Sequence, residues 1–128
     1  MKLLFDTQAF IWWDGTPANL PASVLALCQD PIHTLLLSVA SVWEMQIKHH
    51  LGKLKLSLPL PEIIEAQRRT NGIEVLPIVL EHVLALETLP DHHRDPFDRL
   101  LIAQANVEDA TLISSDPMMH KYPVKLVW

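Results

Sequence analysis

Short apolar runs that break off at a polar or charged residue alternate along this chain with stretches of helical period. Leu3-Leu4-Phe5 stops at Asp6, as a strand buried on both faces does. Thr34 to Val39 reads as a second buried strand and leads directly into a helical pattern, Ser41 to Lys48, that ends near Gly52. Ile73 to Leu76, Ala110 to Ser114 and Val124 to Trp128 read as three more short strands. Helices fill the intervals. Phe10 to Trp13 begins one, and Pro21 takes the first helical position ahead of Ala22 to Gln29. Pro59 and Pro61 mark a loop and a fresh start for Glu62 to Thr70, which Asn71-Gly72 stops. Leu80 to Leu89 is helical up to the Pro90 breaker, and Asp95-Pro96 opens a helix that runs to about Val107. Strands alternating with helices predict an α/β fold, a mainly parallel central sheet flanked by helices. With no internal repeat or linker, residues 1–128 are expected to form a single domain.

Composition narrows the classes of function. A hydrophobic content of 49% fits a packed globule, and the longest apolar runs are far too short to span a bilayer. Met1-Lys2-Leu3-Leu4-Phe5 begins like a signal peptide, but Asp6 ends the run too early. Cys28 is the sole cysteine, which rules out an intrachain disulfide and a Cys-based zinc site and points to a reducing cytoplasm. The formal charge of −5 argues against a nucleic-acid binder built on a basic face. A nucleic-acid enzyme remains open, because carboxylates loaded with a divalent metal present positive charge to a phosphate.

Four carboxylates occupy special places in this pattern. Open α/β sheets bind ligands beyond the carboxyl ends of their strands. Asp6 ends the first strand, and Asp116 lies just past the Ala110 to Ser114 strand. Glu44 is expected in the first turn of the helix entered from Thr34 to Val39, and Asp98 in the first turn of the helix opened by Asp95-Pro96. Each has an ordinary explanation. Ser41 and Glu44 match a capping box, acidic groups favour helix starts, and Asp6 and Asp116 suit turns. Helical spacing adds to the case for a site. Asp98 shares a stripe with Leu101, Ile102 and Ala105, and Glu44 shares one with Ile47 and Leu51. A carboxylate on a core-facing stripe is costly unless it is paired or coordinates a metal. Clustered carboxylates suit Mg²⁺ or Mn²⁺, which can polarise a phosphodiester and activate water without a side-chain nucleophile.

Taken in order, these residues resemble the PIN-domain nucleases, specifically the VapC-like toxins of bacterial toxin–antitoxin pairs. The resemblance rests on Leu3 to Thr7, on Ser38 to Glu44 and on Gly52-Lys53-Leu54, and it closes with Leu112 to Asp116. It is most specific in the string from Asp95 to Ala105. It implies a PIN-like fold and a Mg²⁺- or Mn²⁺-dependent endoribonuclease neutralised by a cognate antitoxin. It maps the catalytic and metal-binding quartet onto Asp6, Glu44, Asp98 and Asp116. Asp95 matches the string too, but its place before Pro96 suits capping better than ligation. The implied partners are an RNA substrate, the antitoxin and a second copy of the chain, with no membrane.

The pairs His49-His50 and His92-His93 lack metal-binding spacing, so the histidines read as surface residues, with His93 a candidate substrate contact. Lys48 follows Glu44 at i,i+4 and suits either an ion pair or a phosphate contact, and Arg99 beside Asp98 offers the same choice. Trp12, Trp13 and Trp43 read as core or dimer contacts. Two other classes compete. A phosphoryl-transfer enzyme of the haloacid-dehalogenase kind wants Asp-x-Asp after the first strand, and a receiver domain wants an early acidic pair; Asp6-Thr7-Gln8 supplies neither. A non-catalytic interaction module is separated from both by whether metal-dependent RNA cleavage occurs.

Overall fold

The computed structural model describes residues 1–92 and 95–128. In chain order the elements are β1 (Lys2–Phe5), α1 (Thr7–Gly15), α2 (Ala22–Gln29), β2 (Thr34–Ser38), α3 (Val39–His50) and α4 (Leu60–Asn71). There follow β3 (Glu74–Leu76), α5 (Leu80–Ala85), α6 (Pro96–Val107), β4 (Thr111–Ile113) and β5 (Leu126–Val127). The five strands form one parallel sheet in the order β3-β2-β1-β4-β5.

Both faces of this sheet are covered, which is why its strands read as unbroken apolar runs rather than alternating ones. Leu3, Phe5, Leu35, Leu37 and Ile113 point to one side, into a core with Phe10 of α1, Val24 of α2, Met45 of α3 and Ile63 of α4. Leu4, Leu36 and Leu112 point to the other, against Leu101, Ile102 and Ala105 of α6. The chain moves outward from β1 through β2 to β3, then returns to lay β4 on the opposite side of β1. The carboxyl ends of β1 and β4 therefore flank the switch point of the sheet, where a crevice opens between diverging connections.

Several boundaries differ from the sequence expectation, each for a local reason. Helix α1 starts at Thr7, ahead of Phe10, because the Asp6 carboxylate accepts the Ala9 N–H at 2.7 Å and caps it. Pro21 is the cap of α2 rather than its first residue. Helix α3 begins at Val39, since the Ser38 hydroxyl accepts the Ala40 N–H, so the expected strand loses its last residue. Glu44 accordingly lies in the second turn, and the Ser41–Glu44 capping box does not form. The Ser41 hydroxyl accepts instead from Thr7 Oγ at 3.0 Å, tying α3 to α1. The stripe drawn through Glu44, Ile47 and Leu51 does not face the core: Ile47 and Leu51 are exposed while Glu44 is buried. Helix α5 ends at Ala85 and passes into a 3₁₀ turn at Leu86–Thr88. The stop at Asn71-Gly72 is as expected, with Gly72 left-handed at φ 66°.

The expectation of surface histidines fails at His82, which is fully buried. Its Nδ1 accepts the Val79 N–H at 3.1 Å, which leaves the proton on Nε2, 2.8 Å from the Glu108 carboxylate. The Gln104 amide stands 3.3 Å from the same Nδ1, and its oxygen accepts from Ser38 Oγ at 2.5 Å. Through this chain of bonds α5 and α6 grip the residue that caps α3, and so fix where α3 begins. Such a network rigidifies a core when all its members are satisfied.

Candidate active site

The pocket at the switch point has a volume of about 250 Å³ and draws its walls from four elements. Asp6 enters from the end of β1, Glu44 and Lys48 from α3, Asp95 and Asp98 from the start of α6, and Asp116 from beyond β4. The fold thus brings to one pocket all four carboxylates singled out in the sequence, together with Asp95. Larger clefts lie elsewhere among the described residues. One, at the amino edge of the sheet beside Trp13 and Cys28, and another, between α3 and α4, carry no comparable gathering of carboxylates. Chemistry rather than size marks the site.

Each side chain is held by its own local structure. Asp6 is 6% exposed, and its carboxyl is pushed up to about 6, chiefly by burial. The negative charges of Asp116 and Glu44 push the same way, while hydrogen bonds from Ser114 and the Ala9 N–H oppose them. Asp116 caps the 3₁₀ turn Pro117–Lys121, its Oδ1 accepting the Met118 N–H at 2.9 Å, and its own N–H donates to Ser114 Oγ at 3.1 Å. Ser114 therefore bonds the Asp6 carboxylate and the Asp116 backbone. Asp95 caps α6 through the Phe97 N–H at 2.9 Å, as its place before Pro96 predicts, and it lines the pocket as well. Asp98, half-buried in the first turn of α6, benefits from the helix dipole there.

Glu44 is different. Its Oε2 lies 3.1 Å from Lys48 Nζ, but its Oε1 is buried with no hydrogen-bond partner among the described residues. A buried carboxylate oxygen left in that condition is costly. Among the described residues, no three His, Cys, Asp or Glu side chains stand as a ready-made metal-binding group. Asp6, Asp95 and Asp116 each rest one oxygen on a backbone N–H. The donor set still fits a hard cation, because it is all oxygen and because Glu44 Oε1 wants a positive partner.

Arg99 does not reach this pocket. Its guanidinium donates to the Pro90 carbonyl at 2.8 Å and the Tyr122 hydroxyl at 3.2 Å, and it approaches Asp91 at 3.7 Å. Its work is to tie the segment before α6 onto the fold. His93 lies outside the described residues. Thr7, Gln8 and Ser115 complete the lining. Nothing in their local sequence signals a role, except that Thr7 and Ser115 directly adjoin Asp6 and Asp116.

The PIN domain profile matches residues 3–125. The chain belongs to the PIN domain family. Proteins of this family are generally nucleases and typically use a divalent metal. Solved structures agree on the fold. VapBC2 from Rickettsia felis, bound to a DNA fragment from its promoter, superposes with a TM-score of 0.76 at 16% identity, over 99% of this chain and 98% of that one. VapBC-1 from nontypeable Haemophilus influenzae gives 0.66 at 19% identity, over 99% and 97%. FitAcB from Neisseria gonorrhoeae gives 0.63 at 13% identity, over 98% and 96%. No curated protein sequence matches this one. No helix among the described residues is long and apolar enough to cross a membrane.

Proposed function

We propose that this PIN domain is a single-domain, Mg²⁺- or Mn²⁺-dependent endoribonuclease, the toxin of a toxin–antitoxin pair acting in the cytoplasm. The observation that carries the reading is the buried, unpartnered Oε1 of Glu44 in a pocket walled by Asp6, Asp98 and Asp116. Those four residues would hold the metal. Bound there, it would supply Lewis-acid polarisation of the phosphodiester and a lowered pKa for the attacking water.

The chain's own groups do the rest. Asp6 directly follows β1 and Asp116 caps the 3₁₀ turn beyond β4, and Ser114 bonds the Asp6 carboxylate and the Asp116 N–H, which helps a ligand set keep its geometry. Glu44 and Asp98 close the pocket from two helices. The RNA assignment follows the resemblance of the string from Asp95 to Ala105 to VapC-like enzymes.

A partner protein and a second copy have surfaces to use. The cleft between α3 and α4 is lined by Val42, Leu60 and Ile64. Trp43 on α3, Leu51 just past its end, and Leu80, Val83 and Leu84 on α5 are exposed. Apolar groups in such numbers on one small chain are typical of covered surfaces. The acidic pocket itself suits an arginine from an inhibitory partner. The structural neighbours named VapBC favour the same reading. Sedimentation of the chain alone, and with the product of a short adjoining gene for a DNA-binding protein, checks both partners.

The decisive measurement is RNA cleavage against metal. Activity should require Mg²⁺ or Mn²⁺ and vanish in excess EDTA. Ca²⁺ should support it poorly, because its longer and looser coordination activates water less well. Cleavage that persists undiminished in EDTA would overturn the mechanism.

A further inference from the structure

Lys48 is the one cation lining the acidic pocket among the described residues. Its side chain is 45% exposed and reaches inward from solvent to Glu44, whose side chain is 9% exposed, at 3.1 Å. An ordinary i,i+4 pair on a helix surface has both partners in water and contributes a few tenths of a kcal/mol. Here one partner is buried in a crowd of carboxylates and the other is half-exposed on a long four-carbon stem.

We propose that Lys48 competes with a divalent ion for Glu44 and, once displaced, holds a phosphate of the RNA. The inference rests on the metal-dependent ribonuclease reading and assigns a residue within that site. Glu44 Oε2 is the atom at issue. A dication drawn to the orphaned Oε1 takes over the charge balance that Lys48 provides and repels the ammonium beside it. The ammonium is then expelled toward the mouth of the pocket, where an incoming phosphodiester is its natural partner. One side chain would thus serve as counter-ion before the metal loads and as phosphate-binding residue afterwards. No covalent step is involved, only an exchange of ion pairs.

Lys48→Met keeps the stem and removes the charge, while Lys48→Arg keeps the charge. Mn²⁺ binding, followed by titration calorimetry or by the resonance of free Mn²⁺, needs no substrate. Lys48→Met should bind Mn²⁺ about tenfold more tightly than wild type, and Lys48→Arg should bind it as wild type does. On a single-stranded RNA, Lys48→Met should raise KM about tenfold with a smaller change in kcat, and Lys48→Arg should restore KM. Unchanged Mn²⁺ affinity in Lys48→Met would overturn the exchange and leave Lys48 as a helix-surface ion pair. A higher Mn²⁺ affinity with an unmoved KM would overturn the phosphate contact. If wild type itself neither binds Mn²⁺ nor cleaves RNA, the nuclease reading falls, a result distinct from both.

Discussion

Glu44→Gln and Asp98→Asn are each expected to lower RNA cleavage about a thousandfold or more while leaving the fold in place. That is the scale on which removing a charge-stabilising group from a catalytic centre acts. Both changes are nearly isosteric, so neither opens a cavity. Glu44→Gln removes the negative charge from the carboxylate whose buried Oε1 has no hydrogen-bond partner among the described residues, and it also ends the ion pair with Lys48. Its effect should therefore appear twice, as lost cleavage and as lost Mn²⁺ binding. Asp98→Asn keeps the α6 cap, which belongs to Asp95, and gives up the favourable placement of a charge in the first turn, worth about 0.3–1 kcal/mol. Circular dichroism should show unchanged helix content in both. A variant that retains cleavage within tenfold of wild type removes that residue from the proposed ligand set.

What the sequence revealed of this site, and what it hid, divides along local against distant contacts. Leu3 to Phe5 and Leu112 to Ile113 were legible because a strand buried on both faces has nowhere to place a polar side chain. Asp6, the residue that ends the first of these runs, was legible for the same reason. Asp95-Pro96 was legible because capping is a matter of neighbouring residues.

Glu44 lines the pocket, but the Ser41 capping box that its sequence suggests does not form. Ser38 and Ser41 are both plausible caps. The choice between them is made by Thr7 and Gln104, 34 and 66 residues distant from the serines they bind. Periodicity likewise could not tell a core stripe from a surface one, so Ile47 and Leu51 read as buried and proved exposed. His82 gives no local sign of its burial, because Glu108, its partner at Nε2, lies a helix away. Arg99 was drawn toward Asp98 by adjacency, yet side chains next to each other on a helix diverge, and its partners are the carbonyls of a preceding loop.

Asp6→Asn is expected to make the metal-free protein more stable at neutral pH, by about 2 kcal/mol, while destroying activity. The Asp6 carboxyl is pushed up to about 6 from an ordinary 3.8, with burial the largest cause and the Asp116 and Glu44 charges adding to it. Because the folded-state value lies above the unfolded one, the folded protein binds the proton more tightly. Ionisation therefore destabilises the fold, fully above about pH 6, and the penalty is relieved as pH falls from about 6 toward 4. The gap corresponds to about 3 kcal/mol at most, with the opposing hydrogen bonds from Ser114 and the Ala9 N–H already included in it. Asparagine carries no charge to bury, and its oxygen can go on accepting the Ala9 N–H that caps α1. Urea melts in EDTA at neutral pH should favour the variant, and the advantage should fade near pH 4–5, where the wild-type carboxyl is already protonated. Saturating Mg²⁺ should reverse the order, since binding to the folded wild type adds stability that the variant lacks. If the variant melts lower than wild type in EDTA at neutral pH, the hydrogen bonds from Ser114 and Ala9 outweigh the burial of charge. Asp6 is then a helix cap first, and its place in the proposed metal site must be given up.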